Sequence, residues 1–242
     1  MRVAVISDIH ANLHALEAVL EAVDAEAPDA LWCLGDVVGY GPRPNECCAI
    51  VEERADVCLV GNHDLVCIGA IDVSMFNYDA AAAAAWTRSE LAADARSFLG
   101  RLQPQAKTPL AELFHASPTD PVWNYVLSDE AASWAFQATE AALILVGHSH
   151  VALQIHLDHD LLAGGVARAD AAVALSTGRW LLNPGSVGQP RDGDPRAAWL
   201  LLDLERMSGS FRRVAYPIER TQSEMREAEL PEALVARLAF GE

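Results

Sequence analysis

The sequence predicts an α/β fold, and three observations support this prediction. Short apolar runs recur along the chain, segments with helical periodicity lie between several of them, and the runs end in small or polar residues. This alternation is typical of strand-helix-strand units that build a parallel sheet. With 242 residues and 52% hydrophobic content, the chain can bury a sizeable core. We therefore expect a single domain over residues 1–242.

Strands and helices alternate in the first part of the chain. Asn12 can cap the first helix, and Pro28 ends it before the second strand begins. The third strand leads into a polar turn that contains Gly61. The predicted elements are strands at 2–7, 30–34 and 57–60, helices at 13–27 and 45–54, and the turn at 61–64.

An Ala-rich stretch follows and predicts one long helix over residues 77–99, which Gly100 ends. We treat residues 74–100 as a helical insertion. Helix propensity alone says nothing about function, so a helix that simply packs on the domain is favoured over a cap that covers a substrate.

The second half of the chain changes in character. Short strands joined by tight turns predict an antiparallel or mixed sheet. The tail, residues 218–242, is charged and predicted to be helical. The predicted elements are strands at 110–115, 142–146, 152–156, 171–176, 179–182, 197–204 and 210–216, and a helix at 129–138.

Composition excludes some classes of function. The formal net charge of -17 would repel a nucleic-acid backbone, so a general DNA- or RNA-coating role is disfavoured, although small nucleotide substrates are not. The first apolar run is too short for a signal peptide, and no segment is long enough to span a bilayer. The five cysteines show no zinc-ligand spacing, which favours a reducing cytoplasm. They are Cys33, Cys47, Cys48, Cys58 and Cys67.

Potential metal ligands are concentrated just after the predicted strands. In open α/β sheets, ligands bind at the carboxyl ends of the strands, so residues far apart in sequence can converge on one crevice. A single aspartate after a strand is more often a turn former, but several such positions together favour a metal site. The candidates are Asp8, His10, Asp36, Asn62, His115, His148 and His150.

The chemistry of this set predicts two divalent ions. It combines carboxylate, imidazole and amide oxygen without thiolate, which suits Mn, Fe, Zn, Co, Ni or Mg, with Mn favoured. Seven ligands are too many for one tetrahedral ion. They are about right for two ions roughly 3.5–4 Å apart that share a bridging carboxylate, the arrangement used in phosphoryl displacement.

These motifs resemble the signature of the calcineurin-like metallophosphoesterase family. The matching segments are Asp8-Ile9-His10, Gly35-Asp36, Gly61-Asn62-His63-Asp64, His115 and Gly147-His148-Ser149-His150. The stretch from Asn183 to Arg191 also resembles a segment of the family's prokaryotic phosphodiesterase-like branch. The resemblance implies a four-layer α/β/β/α sandwich, in which two mixed sheets are flanked by helices.

The same resemblance assigns roles to individual residues. It places one metal on Asp8, His10 and His150, the other on Asn62, His115 and His148, and Asp36 between them. A metal-held hydroxide is expected to attack phosphorus. His63 would stabilise or protonate the departing oxygen, and Asp64 would orient its imidazole. Arg191 and Asn62 are the candidate substrate contacts, because a guanidinium binds phosphoryl oxygens bidentately.

Several functions remain open on the sequence alone. We expect a phosphodiesterase acting on a small phosphate ester, nucleotides included. A phosphomonoesterase, a Ser/Thr-type protein phosphatase or a dinucleoside tetraphosphatase is the alternative, but the Asp-Arg-Gly sequence usual in the last two is replaced by Asp36-Val37-Val38-Gly39. A non-catalytic metal-binding scaffold of the same fold is a further alternative, which the retained His63 disfavours. The oligomeric state is not evident from the sequence.

Overall fold

Two six-stranded mixed sheets form the centre of the molecule, as a computed structural model covering residues 1–242 describes it. The strands are β1 (Arg2–Ile6), β2 (Ala30–Cys33), β3 (Val57–Cys58), β4 (Gln105–Lys107), β5 (Glu112–Phe114), β6 (Leu143–Leu145), β7 (Ala152–Asp158), β8 (Leu161–Val166), β9 (Ala172–Ala174), β10 (Arg179–Pro184), β11 (Ala197–Asp203) and β12 (Ser208–Val214). The helices are α1 (Leu13–Glu26), α2 (Pro44–Arg54), α3 (Asn62–Ile68), α4 (Tyr78–Glu90), α5 (Ala93–Gly100), α6 (Asp129–Gln137), α7 (Ile218–Glu227) and α8 (Glu232–Arg237).

The first sheet has the strand order β3-β2-β1-β11-β12-β9. Strands β1, β2 and β3 run parallel, because helical crossovers connect them, whereas β11 and β12 form an antiparallel hairpin beside β1. The second sheet has the order β4-β5-β6-β10-β7-β8, with β5, β6 and β10 parallel. The parallel strands therefore form one edge of the first sheet and the middle of the second sheet. In both sheets they adjoin antiparallel strands.

Successive side chains of a strand point to opposite faces of its sheet, and this alternation explains the layers of the fold. In β1, Val3 and Val5 face the apolar cluster between the sheets, whereas Ala4 and Ile6 face the cluster that includes α1 and α2. On the far side of the second sheet, α6 packs through Phe136. Because central strands such as β1 bury both faces, the layers are helix, sheet, sheet and helix. The expected four-layer α/β/β/α fold is confirmed.

Sequence analysis was wrong about the long helix over 77–99. The structure has two helices, α4 and α5, separated at Leu91 and Ala92. The side chain of Asn45 replaces helical hydrogen bonds at the break: its Oδ1 accepts from the Ala92 amide at 2.7 Å, and its Nδ2 donates to the Glu90 carbonyl at 2.9 Å. Helix propensity favoured continuity, but this tertiary contact satisfies the interrupted backbone.

Three further elements were missed by sequence reasoning. The predicted polar turn at 61–64 is the start of α3, and strands β4 and β8 were not predicted. Strand β8 contains Gly164 and Gly165, which carry no strand propensity. The C-terminal segment, defined as residues 218–242, contains α7 and α8. No helix of the structure is long and apolar enough to cross a membrane.

Candidate metal centre

Two groups of buried metal-ligating side chains meet at the ends of the central strands. One group contains Asp8, His10 and His150, and the potential donor atoms within it all lie within 4.8 Å of one another. The second group, with the same spacing, contains Asp36, His115 and His148. Asn62 joins the second group, because its Oδ1 lies 3.2 Å from His115 Nε2. The fold thus brings the seven predicted ligands into one crevice.

Hydrogen bonds to main-chain carbonyls fix which nitrogen of each histidine faces the crevice. The contacts are His10 Nδ1 to Val38 O at 3.1 Å, His115 Nδ1 to Leu34 O at 2.9 Å, His150 Nδ1 to Gln189 O at 2.6 Å and His148 Nε2 to Trp123 O at 3.2 Å. A carbonyl can only accept, so the bonded nitrogen carries the proton and the other nitrogen presents a lone pair. Ligand histidines in metalloproteins are oriented in the same way.

The lone pairs converge in a manner that fits bound cations. His10 Nε2 and His150 Nε2 lie 3.0 Å apart, and two unprotonated nitrogens at this distance repel each other. Asp36 Oδ2 is buried and has no hydrogen-bond partner, and it lies 3.7 Å from His10 Nε2 and 3.5 Å from His115 Nε2. An orphaned carboxylate oxygen between two donor groups is what a bridging ligand requires. The donor set therefore fits two divalent ions.

Burial shifts the pKa values of the ligands. Metal binding would oppose the shift of the carboxylates and favours the same neutral form of the imidazoles. Burial raises the pKa of Asp8 to about 7 and raises the pKa of Asp36 well above its usual range. Burial also lowers the pKa of His10 and His150 well below the usual value and that of His148 to about 2. The imidazoles are therefore neutral, which is the form that binds metal.

The backbone at the ligands is unusual. Asp8, His10, Asp36, His148 and His150 all have positive φ, between 49° and 62°. Non-glycine residues in this left-handed region each cost on the order of 1 kcal/mol, and such strain clusters at functional sites. Each strained residue follows a strand and turns its side chain toward the crevice. No local sequence pattern predicts this backbone geometry.

Two glycines allow the ligand loops to approach one another. A Cβ atom on Gly61 would collide with the Asp36 carboxylate and the His115 ring. A Cβ atom on Gly147 would collide with Ser7 Oγ. These positions need glycine because of the close approach of neighbouring loops rather than because of φ.

His63 lies against the metal centre but is not a member of either donor group. Its amide donates to Asp36 Oδ1 at 2.9 Å, so the bridging candidate also holds the backbone of His63. The imidazole is 5% exposed, its Nδ1 has no partner, and burial lowers its pKa. The ring packs on His10, with 4.8 Å between centroids. This places an uncommitted imidazole directly beside the ligands.

Asp64 does not orient the His63 imidazole, contrary to the sequence expectation. Its Oδ1 accepts from the Val38 amide at 2.9 Å, and its Oδ2 accepts from the Gly61 amide at 3.0 Å. Both oxygens are therefore committed to backbone, at the first turn of α3, where a carboxylate is favoured. Asp64 joins the loop after Asp36 to the loop before Asn62 and acts as a positioning residue.

Aromatic side chains hold the His63 ring and form the rim of the crevice, and sequence reasoning missed them. The His63 ring contacts Tyr40 and Phe76, with centroids 4.3 and 4.4 Å away. Phe76 belongs to the segment before α4, so the insertion at 74–100 contacts the site. Tyr125 is 48% exposed and stacks on His148 at 4.0 Å. Aromatic residues between predicted strands and helices were the one available signal, and it is a weak one.

Arg191, the predicted substrate contact, and Arg43, in the loop after Asp36, have different environments. The Arg191 amide donates to the His150 carbonyl at 3.1 Å, and its guanidinium lies over the Tyr40 ring at 5.8 Å, which places it at the rim. Arg43 is instead committed to ion pairs with Glu224 at 2.9 Å and Glu46 at 2.8 Å. Arg191, unlike Arg43, has no carboxylate partner.

Comparisons with known proteins agree with this geometry. Residues 1–207 match the family model of the calcineurin-like phosphoesterase superfamily domain. A protein of Methanocaldococcus jannaschii is 35% identical over 245 residues, which cover 99% of this chain and 98% of that protein. The crystal structure of a metallophosphoesterase from Sphaerobacter thermophilus is 43% identical, with a TM-score of 0.91 and coverage of 100% of this chain and 99% of that chain.

A more distant structure shares the fold. A protein of Pyrococcus horikoshii is 21% identical, with a TM-score of 0.78 over 100% of this chain and 98% of that chain. The family match extends over most of the sequence and includes every ligand candidate. This chain therefore belongs to the calcineurin-like phosphoesterase superfamily.

Proposed function

We propose that the protein is a two-metal phosphodiesterase that hydrolyses a small phosphate ester. The observation that carries this proposal is Asp36. Its Oδ2 is an orphaned buried acceptor between the two donor groups, and its Oδ1 binds the amide of His63. A single carboxylate thus links both proposed metal positions to the proposed acid.

The side chains of the crevice have separate roles in this proposal. Two divalent cations, with Mn favoured, would supply activation of water and neutralisation of phosphoryl charge when bound. His63 stabilises or protonates the departing oxygen, because its imidazole is the uncommitted polar group beside the ligands. Arg191 contacts a phosphoryl oxygen from the rim, and Asn62 would offer its amide oxygen to a metal and its amide nitrogen to a phosphoryl oxygen. Asp64 positions the two loops.

The rim favours a diester over a monoester. A diester carries a second organic group, and Tyr40, Phe76 and Tyr125 around the crevice offer apolar contact for it. A bis(5'-nucleosyl)-tetraphosphatase of Psychromonas ingrahamii is 35% identical, but over only 68 residues, 27% of this chain. That short match gives the tetraphosphatase alternative little support.

The first experiment compares two model substrates with different metals. Metal-stripped protein is resupplied separately with Mn, Mg, Zn, Co and Ni, and turnover of bis-p-nitrophenyl phosphate and p-nitrophenyl phosphate is followed. We expect a transition metal to restore diester turnover. Preference for the monoester would replace the proposal with a phosphatase, and absence of turnover with every metal would favour the scaffold alternative.

The second experiment separates the role of His63 from metal binding. His63→Ala should lower kcat by about 10²–10⁴-fold while the protein retains both ions, because the imidazole is not in either donor group. The matched control is His156→Ala, since His156 lies in β7 and contacts Thr177 and Trp180 away from the crevice. Full activity of the His63→Ala variant would overturn the assignment.

A further inference from the structure

The C-terminal segment contributes a second arginine to the rim of the crevice. Arg237, the last residue of α8, donates from Nη1 to Gln189 Oε1 at 3.4 Å. Arg191 donates to the same oxygen from Nη2 at 2.7 Å and from Nε at 3.2 Å. Two guanidinium groups therefore share one neutral amide acceptor.

Neither of these arginines is paired with a carboxylate. By contrast, Arg43, Arg213 and Arg226 each lie at ion-pair distance from one, as expected in a chain with a net charge of -17. Burial and the charge of Arg191 lower the pKa of Arg237, which reflects the cost of holding the two cations together. A basic residue suits the end of a helix, but the helix dipole does not require its side chain to turn toward another cation.

Gln189 adds a third donor to the group. The residue is 1% exposed, and its Nε2 is buried without an acceptor. Its Oε1 is identified as the oxygen because it accepts from both arginines. The three side chains therefore offer more hydrogen-bond donors than acceptors, and their one acceptor, Gln189 Oε1, is already used. Such a group is complementary to an anion with several oxygens.

The donor group lies directly behind the metal ligands. The Gln189 carbonyl accepts from His150 Nδ1 at 2.6 Å. Arg191 Nη2 lies 3.5 Å from Tyr40 Oη, and the Tyr40 ring packs on the His10 ring with centroids 4.7 Å apart. An anion held by the group would therefore lie close enough to the metal centre for one small substrate to span both positions.

A pocket of about 410 Å³ adjoins the group and has room for an organic moiety. Tyr40 and Arg237 line it, together with Leu234 and Phe240. Carboxylates of Asp79 and Glu242 also line it, but neither is at ion-pair distance from Arg237. They can accept hydrogen bonds from hydroxyl or amino groups of the moiety.

We propose that Arg237 and Gln189, together with Arg191, form an anion subsite that binds a second phosphoryl group of the substrate, one that is not hydrolysed. Arg191 serves both phosphoryl groups in this proposal, whereas Arg237 serves the second one alone. The inference rests on the proposed function, because it assigns recognition in the same reaction. The substrate class it names is the phosphodiester of an alcohol that carries an additional phosphate, such as a phosphorylated sugar or nucleoside.

The test uses two substrates that differ by one phosphate. They are thymidine 5'-(p-nitrophenyl phosphate) and its 3'-phosphorylated derivative. The wild type should prefer the derivative by about tenfold in kcat/KM, chiefly through KM, the effect expected for one or two charge-assisted hydrogen bonds. Arg237→Gln should abolish the preference and leave the unphosphorylated substrate within about twofold.

Controls separate recognition from charge and from structure. Arg226→Gln removes an equal charge from the same segment, where Arg226 pairs with Glu232, and should leave the preference intact. Arg237→Lys should retain part of it, because the charge remains without the planar fork. Equal loss on both substrates in Arg237→Gln, or no preference in the wild type, would overturn the subsite.

A binding measurement keeps this test independent of turnover. Calorimetry with thymidine 3',5'-bisphosphate and thymidine 5'-monophosphate should show the same tenfold preference, and Arg237→Gln should remove it. If no diester is hydrolysed but this preference is present, the proposed function fails and the subsite stands. If diesters are hydrolysed without the preference, the subsite fails and the proposed function stands.

Discussion

The metal centre and the C-terminal segment satisfy their polar groups in opposite ways. In the metal centre, Asp36 Oδ2 and His63 Nδ1 are buried without partners. In the C-terminal segment, Glu224 binds both His14 and Arg43 at 2.9 Å, and Arg226 pairs with Glu232. Groups left unpaired indicate where a ligand completes the structure, whereas paired groups indicate where the chain docks on itself.

The two regions also differ in what their local geometry costs. The ligands sit on strained backbone and in shifted ionisation states, which destabilise the protein without metal. The C-terminal segment instead buries Met225, Leu234 and Leu238 against Tyr40. Loss of a charge in the metal centre should therefore impair function more than stability. Loss of a paired charge in the C-terminal segment, such as that of Glu224, should impair stability more than function.

The largest expected effect is that of Asp36→Asn. The amide keeps the size of the carboxylate but cannot bridge two cations, so kcat should fall by about 10³-fold. The metal-free variant should unfold at a higher temperature than the metal-free wild type, because a buried charge is removed. Turnover, metal content and thermal denaturation in chelator measure these outcomes. Full occupancy by two ions with normal turnover would contradict the bridging role.

Leu238→Ala should act on stability alone. Leu238 is 3% exposed within the cluster around Tyr40, and a buried Leu-to-Ala change costs about 3 kcal/mol. Urea denaturation gives the loss in free energy of unfolding, and metal content should stay at the wild-type level. A parallel loss of metal would show that the C-terminal segment and the metal centre form one energetic unit.

Phe76→Ala tests the boundary between the helical insertion and the metal centre. The Phe76 ring packs on His63 with 4.4 Å between centroids and a tilt of 35° between the ring planes. Such aromatic contacts are worth about 1 kcal/mol, so kcat/KM should fall by roughly fivefold with unchanged metal content. Met75→Ala, at a neighbouring side chain that is 71% exposed, is the control and should have wild-type activity. Equal activity of both variants would show that the Phe76 contact does not position the His63 ring.

The smallest expected effect is the pH dependence of Glu224→Gln. The hydrogen bond from Arg43 lowers the pKa of Glu224 to about 2, from an ordinary value of 4.5. A lowered pKa means that the carboxylate stabilises the fold above pH 4.5 and that this stabilisation is lost as the pH falls from 4.5 to about 2. The variant should be less stable than the wild type by at most about 1 kcal/mol at pH 7. Denaturation at pH 7 and pH 3 measures the difference, which should shrink at pH 3.

Much of the fold was predictable because the signals are local. Apolar runs such as residues 2–7 and 142–146 bury both faces and leave no ambiguity about strand or helix, and Asn12 caps α1 as expected through its Oδ1. The break at Leu91 was not predictable, because the side chain of Asn45, which is 45 residues from Glu90 and 47 from Ala92, supplies the replacing hydrogen bonds. The role of Asp64 was not predictable for the same reason.

The sequence by itself determined the α/β class, the family and the set of ligand-type residues, because each of these follows from residue types at short spacing. Only the tertiary structure decided which histidine nitrogen faces the crevice, that Asp36 Oδ2 is left without a partner, and that Phe76 and Arg237 reach the same rim. Hydrogen-bond partners and close contacts depend on residues far apart in the chain. Such pairings carry no local signal in one sequence, so they emerge only when the chain is folded.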